Sequence, residues 1–150
     1  AGAQRAPVAV TVLRMSRCFP EPAPIMAAYR LHRGVDVRDV ADAHANALSV
    51  LARGFRTYVI SGPTPFTPED TAELYADAPA VFARRAPGLV AAFARRGWRL
   101  PPSVDRVYVS TQAAAGLNWH PLHGFDEVLA EFDRGSSEVL PPRNDWRAQE

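Results

Sequence analysis

The sequence predicts an α/β fold in which helices cover a parallel sheet. Two segments, Val8 to Leu13 and Phe55 to Ser61, are mostly apolar or small on both faces, as expected of parallel strands with helices on each side. Between them, from Val37 to Leu51, the less polar residues recur at the spacing of a helix with one buried face. Strand, helix and strand in this order are typical of an α/β domain.

Length and composition favour one compact domain. The chain has 150 residues, 47% of them hydrophobic, which is enough for one core and too little for a large two-domain enzyme. A net charge of +1 argues against nucleic-acid or membrane binding driven by bulk charge. The single cysteine excludes an internal disulfide. Because neither a secretory signal nor an apolar run of about 18 residues is present, we expect a cytoplasmic protein.

The first half of the chain contains clear turn and helix signals. Phe19 to Pro24 holds three prolines at alternate positions, which predicts a stiff loop after the first strand. A short helix is predicted over Ile25 to His32. Thr67-Pro68-Glu69-Asp70 predicts a helix start, because it combines a hydroxyl N-cap, a proline and two first-turn acids.

The second half is predicted to be mostly helical. Pro79 and Pro87 each begin a helix, and the second ends at Arg95-Arg96-Gly97. Val104 to Val109 is a candidate third strand, and Ser110 is expected to cap the next short helix. The last helix carries the apolar stripe of Phe125, Val128, Leu129 and Phe132 and ends at Gly135.

The two ends of the chain have little to bury. Residues 1–6 show no pattern and are predicted to be a flexible N-terminus. From Ser136 to Glu150 two prolines and five charged residues predict a flexible tail. We therefore expect the folded part to span residues 7–134, with 135–150 outside it.

The polar residues of the central helix have structural explanations. Asp36 stands at the predicted N-cap and Asp39 in the first turn, where the helix dipole favours a carboxylate. Asp42 is predicted to be exposed, and His44 to be a core histidine on the apolar stripe. A carboxylate-rich site at these positions is the alternative. His120 and His123 lie in a predicted loop with a proline between them, so we expect no metal site there.

Three segments, in order, resemble a known family. The first is Val10-Thr11-Val12-Leu13-Arg14, followed by Cys18-Phe19-Pro20-Glu21-Pro22. The second is the stretch from Arg33 to Leu48, with the sequence Asp-Val-Ala-Asp-Ala-His at its centre. The third is Leu117-Asn118-Trp119-His120-Pro121, which leads to Gly124-Phe125-Asp126-Glu127-Val128-Leu129. This pattern resembles the C-terminal, substrate-binding part of the extended short-chain dehydrogenases/reductases, the NAD-dependent epimerase/dehydratase family. The resemblance covers roughly residues 7–134.

The resemblance implies a more detailed fold and site. It implies a partial Rossmann-like parallel sheet with helices, plus the small, mostly helical substrate-binding region of these enzymes. Cys18, Phe19 and Pro20 correspond to the loop near the nicotinamide of NAD or NADP. Arg33 and Arg106, with Arg96 as a weaker third, correspond to arginines that bind the diphosphate of a nucleotide-sugar.

The sequence also departs from the family. None of its nine glycines has the spacing of the turn that binds the cofactor pyrophosphate. The chain has no lysine, which excludes the Tyr-x-x-x-Lys pair that performs the family's acid/base chemistry. The family's aspartate is replaced by Val109. We therefore expect no catalytic residue in this chain and no NAD binding by the chain alone.

Two main functions follow. The first is the substrate-binding portion of an NAD(P)-dependent epimerase/dehydratase-like oxidoreductase, inactive without a cofactor-binding half, acting on a nucleotide-sugar or a related small molecule. The second is a non-catalytic binding or interaction module that retains part of the fold. A third, an arginine-based nucleic-acid binder, lacks aromatic residues for stacking beyond Phe93 and Trp98. In the first case the expected partner is the N-terminal cofactor-binding half or a second copy of the chain.

Overall fold

The structure is a computed structural model that describes residues 8–50 and 54–142. In these residues the chain is mixed α/β, with a two-stranded parallel sheet and seven α-helices. The strands are β1 (Val10–Met15) and β2 (Phe55–Ile60), and the helices are α1 (Ala23–Tyr29), α2 (Val37–Ser49), α3 (Thr71–Ala76), α4 (Ala78–Arg85), α5 (Pro87–Arg96), α6 (Thr111–Leu117) and α7 (Phe125–Asp133). The predicted α/β class is confirmed. The predicted N-terminal flexibility over residues 1–6 lies outside the described residues.

The sheet pairs β1 directly with β2. The register places Val10 opposite Phe55 and Leu13 opposite Tyr58, with α1 and α2 in the connection between the strands. A parallel pair requires such a crossover, because the chain must return to the same end of the sheet before the second strand begins.

Both strands are less buried than the sequence predicts. β1 begins two residues later than expected, and in β2 only Ile60 is buried. Phe55 is 70% exposed and Val10 is 41% exposed. The prediction that both strands are covered on each face was wrong for the described residues, because the helices that pack on this sheet, α2 and α6, contact the side that carries Leu13 and Tyr58.

A small core joins the sheet to α2 and α6; we call these four elements the sheet region. Its largest member is Trp119, which is 2% exposed and donates from its indole Nε1 to the backbone oxygen of Asp39 at 2.9 Å. The buried members of this core are Val35, Val40, Ala43, Ile60, Ala113, Leu117 and Trp119.

A larger core joins α1, α3, α4, α5 and α7, which we call the helical region. Aromatic pairs lie at its centre. Phe82 packs against Phe66 with 5.2 Å between ring centroids, and Trp98 contacts Phe93 and Phe132 edge to face at 5.5 and 5.4 Å. Such pairs contribute beyond their buried area because ring edges and faces carry opposite partial charge.

Helix signals in the sequence are mostly confirmed. Thr67 and Asp70 form a reciprocal capping box, although the turn that they cap is a short 3-10 helix that precedes α3. α5 starts at the predicted Pro87, and α4 starts at Ala78, one residue before Pro79. Gly97 ends α5 with φ +64°, a left-handed conformation that glycine adopts without strain.

The predicted third strand is absent. Among the described residues, Val104 to Val109 forms no ladder. The amide of Val104 donates instead to Leu74 in α3, and that of Tyr108 donates to His32 in the turn after α1. Ser110 precedes α6 as predicted but makes no capping bond. Its hydroxyl instead accepts from the backbone nitrogen of Ser61 at 2.9 Å and donates to the Ser61 oxygen at 3.0 Å.

The predicted flexible tail begins too early. Val139 is 5% exposed and belongs to the core of the helical region. Leu140 donates its amide to Glu21 and accepts from Ala23, so this segment bridges to the start of α1. The prediction of a tail was therefore wrong for residues 136–140, while residues 143–150 lie outside the described part.

The central helix is confirmed, but its buried face is rotated from the predicted one. Asp36 is the N-cap of α2 and accepts from the Arg38 nitrogen at 3.0 Å. The buried positions are Asp39, Val40 and Ala43. His44 is exposed, and its Nδ1 donates to the Val40 oxygen at 2.8 Å, so the prediction of a core histidine was wrong.

Candidate functional site

Two clefts contain most of the residues that the sequence singles out. The first, which we call the Cys18 cleft, has a volume of about 290 Å³. Cys18, Phe19 and Pro20 line it together, in the proline-rich loop that follows β1. The loops that follow parallel strands are the usual position of ligand sites in open α/β sheets.

The floor of the Cys18 cleft contains a buried ion pair that the sequence analysis did not identify. Arg30 is 2% exposed and donates to Asp36 Oδ2 at 3.1 Å. Arg38 donates to the same carboxylate at 2.8 and 3.0 Å. Two guanidinium groups thus share one carboxylate. Arg30 Nε has no hydrogen-bond partner among the described residues.

Burial and charge act in opposite directions on this trio. Burial lowers the pKa of Arg30, and the charge of Asp36 opposes the shift. Burial alone would raise the pKa of Asp36, but the hydrogen bonds from the Arg38 side chain and backbone, with the charge of Arg30, bring it below its usual value. The carboxylate is therefore ionised at neutral pH and holds the start of α2 against the end of α1.

The second cleft, which we call the Arg33 cleft, lies between α1 and the segment after α5. Its volume is about 330 Å³. Polar groups from Tyr29, His32, Arg33, Arg99 and Asp105 line it beside an apolar wall formed by Ile25, Leu100, Pro101, Pro102 and Val104. An apolar wall with a few convergent polar groups is the usual composition of a small-molecule site.

Arg33 and Arg106 meet at one carboxylate. Arg106 donates from Nε and a terminal nitrogen to Asp105 Oδ2 at 2.8 and 2.5 Å. A terminal nitrogen of Arg33 lies 3.6 Å from Asp105 Oδ1. The hydrogen bond from Arg106 holds the pKa of Asp105 below its usual value. The two arginines that the resemblance singles out, distant in sequence, are therefore neighbours in the fold.

Arg33 is fixed by aromatic contacts. It donates to the Tyr29 hydroxyl at 2.6 Å, and its guanidinium carbon lies 4.3 Å from the centroid of the Tyr29 ring. A guanidinium over an aromatic face is stabilised by the negative charge density of the ring. The side chain of Arg33 is 29% exposed, so the fixed cation remains accessible.

His32 lies in the wall of the Arg33 cleft in its neutral form. The residue is 4% exposed, and its Nδ1 lies 3.2 Å from the backbone oxygen of Arg106. Because a carbonyl oxygen only accepts, Nδ1 carries the proton. Burial, with the charge of Arg33 as the second cause, lowers the pKa of His32 to about 4. This imidazole therefore adds no charge to the cleft at neutral pH.

The other arginines are tied to structural partners. Arg96 donates to Asp133 at 2.6 Å, and its guanidinium carbon lies 5.6 Å from the Trp98 ring centroid. This contact links α5 to α7, and Arg96 lines neither cleft. Arg84 and Arg85 both pair with the buried Asp70. Arg99, which the sequence analysis did not single out, lines the Arg33 cleft, whereas Arg96 does not.

Asp39 anchors the loop between α6 and α7. Its carboxylate is buried and accepts from the backbone nitrogens of Leu122 at 3.0 Å and His123 at 3.1 Å, and from His123 Nδ1 at 2.8 Å. Asp39 therefore does more than interact with the helix dipole, because its carboxylate also binds the loop before α7. His123 is engaged with this carboxylate, and the described residues contain no group of three or more potential metal ligands.

Comparison of the chain with protein-family models, curated proteins and solved structures finds no match in any of the three. Across residues 8–50 and 54–142, no helix has the length and apolar character that crossing a membrane requires.

Proposed function

We propose that this chain is the substrate-binding portion of an NAD(P)-dependent epimerase/dehydratase-like oxidoreductase. In this proposal the Arg33 cleft binds a nucleotide-sugar or a related phosphate-bearing molecule. The cofactor-binding half comes from another polypeptide or from a second copy of the chain.

The convergence of Arg33 and Arg106 beside an apolar cleft carries the proposal. Guanidinium groups bind phosphate oxygens through paired, charge-assisted hydrogen bonds. A nucleotide-sugar combines such a diphosphate with a base that suits an apolar wall. The wall formed by Leu100, Pro101 and Pro102 and the fixed cation of Arg33 provide both kinds of contact within one cleft.

The position of the Cys18 loop also supports the proposal. Cys18, Phe19 and Pro20 lie together at the carboxyl end of β1 and line a cleft whose floor holds Arg30. In the proposed enzyme this loop faces the nicotinamide ring of a cofactor bound by the other half.

In this proposal the chain alone does not bind the dinucleotide, and the packing of Gly62 agrees with that. Gly62, which follows β2, is packed backbone to backbone: its amide donates to the Gly34 oxygen at 2.7 Å, and an added Cβ would lie 2.7 Å from that same oxygen. This glycine is needed for chain packing and is not free to receive a pyrophosphate. No catalytic step is therefore assigned to this chain, and its role is to bind and orient the substrate.

Binding of UDP-glucose, measured by calorimetry, tests the substrate site. Arg33→Ala and Arg106→Ala should each weaken binding about ten- to a hundredfold, as expected when a charge-assisted hydrogen bond to phosphate is lost. Arg96→Ala is the matched control, because it removes an arginine that pairs with Asp133 away from the cleft. Equal affinity in all four proteins would remove the Arg33 cleft from the proposed function.

Binding of NAD or NADP tests whether the cofactor site belongs to another half, as the proposal requires. We expect the isolated chain to bind neither more tightly than about 10 μM, or roughly 7 kcal/mol. The mass of the native assembly, with any co-purifying polypeptide, then identifies the second half. A chain that is purified alone, binds no UDP-glucose and has no such partner would favour the non-catalytic interaction module.

A further inference from the structure

Two guanidinium groups share one carboxylate at the Arg33 cleft, and a third arginine lines the cleft. Asp105 accepts two hydrogen bonds from Arg106 and lies 3.6 Å from Arg33, while Arg99 lines the same cleft. Arg99 has no ion-pair partner in the part of the chain that the structure describes. The cleft therefore has an excess of positive charge that Asp105 only partly offsets.

Asp105 occupies donors that a phosphate would use. The Asp105 side chain is 45% exposed and that of Arg106 is 55% exposed, so a ligand can reach both. A carboxylate and a phosphate accept the same paired hydrogen bonds from a guanidinium group. Both anions cannot use the same two donors of Arg106, Nε and one terminal nitrogen, and two anions placed side by side repel each other.

We propose that Asp105 is a built-in competitor that selects ligands by charge. The inference rests on the proposed function of the Arg33 cleft as a phosphate site. A ligand with two or more negative charges displaces Asp105 from Arg106 and then contacts Arg33, Arg99 and Arg106. A singly charged ligand only replaces one negative charge by another, so it gains little binding free energy from displacing Asp105.

Removal of the competing charge gives a clear test. Asp105→Asn keeps the size of the side chain and should raise the affinity for UDP-glucose, which carries two negative charges, about five- to tenfold, the size expected for one nearby charge at a solvent-exposed site. Cyclic UMP has the same base and one negative charge. It should bind the Asp105→Asn protein measurably and the parent chain at least about tenfold more weakly.

The matched control is Asp133→Asn. This substitution also removes an acid that accepts from an arginine, but the pair with Arg96 lies outside the cleft. It should leave both affinities unchanged, and the unfolding midpoints of the two variants should show that each is folded. If Asp105→Asn leaves the affinities unchanged or lowers them, Asp105 only positions the arginines and the inference is overturned.

Inorganic pyrophosphate separates this inference from the proposed function. If pyrophosphate binds Asp105→Asn more tightly than the parent chain while UDP-glucose binds neither, the charge competition stands and the nucleotide-sugar function fails. If UDP-glucose binds both proteins equally, the function stands and the competition fails. If neither ligand binds either protein, both are overturned.

Discussion

In the helical region most large apolar side chains are enclosed, with Tyr75 as an exception, whereas in the sheet region several similar side chains face solvent. Phe82 and Leu89 are fully buried among α-helices, and Trp98 is 8% exposed. On and beside the sheet, Phe55, Met15 and Leu48 are half or more exposed. The helical region is therefore a complete core, while the sheet region has apolar surface that the described residues leave uncovered.

The difference indicates where another polypeptide would pack. Parallel sheets are normally covered on both faces, and unpaired edges promote association. In the described residues the sheet has only two strands, so each strand has one edge without a partner strand. We expect pairing with the cofactor-binding half, or with a second copy, to take place at this sheet and not at the helical region.

The largest expected effect compares the same substitution in both regions. Phe82→Ala should lower the free energy of unfolding by about 3–5 kcal/mol, because it leaves a cavity in an enclosed core. Phe55→Ala should change it by about 0.5 kcal/mol or less, since the ring is already in water. Urea unfolding measures both. Similar losses would mean that the sheet is covered in solution.

A second comparison concerns the loop that closes the sheet region. Asp39→Asn should cost about 2–3 kcal/mol, because a buried carboxylate that accepts three hydrogen bonds becomes an amide that cannot match them all. Asp42→Asn, on the same helix but exposed, should be close to neutral. An equal effect of the two substitutions would contradict the anchoring role of Asp39.

The pH dependence of the free energy of unfolding should report on His32, which lies in the wall of the Arg33 cleft. The pKa of His32 falls from 6.5 to about 4 on folding, so between these values the unfolded chain binds a proton that the folded chain does not. The free energy of unfolding should therefore decrease as the pH falls through this window, by on the order of 3 kcal/mol. His32→Gln should reduce that slope in urea unfolding. An unchanged slope would assign the acid sensitivity to other groups.

The smallest effect on stability is expected for substitutions that change association. Phe55→Ser should weaken pairing through the sheet, as measured by light scattering at micromolar concentration, without loss of fold. Tyr75→Ser is the control, because Tyr75 is equally exposed but lies on α3 in the helical region. A monomeric parent chain in which hydrogen exchange shows both strands fully protected would contradict the account of a missing half.

Local patterns in the sequence determined most helix boundaries. Asp36 caps α2, Thr67 and Asp70 form a capping box, and Gly97 ends α5, because each of these features depends on a few neighbouring residues. The two parallel strands were found from their apolar runs, with β1 shifted by two residues. Such signals are local, so they can be identified before the fold is known.

The tertiary structure decided which residues meet. The segment from Val104 to Val109 is compatible with a strand, but Leu74 in α3 and His32 in the turn after α1 accept hydrogen bonds from its amides, and it stays outside the sheet. The sequence grouped Arg33, Arg96 and Arg106 by resemblance, whereas the fold places Asp105 between two of them and Asp133 beside the third. These pairings depend on how distant segments pack, which local propensity and periodicity do not specify.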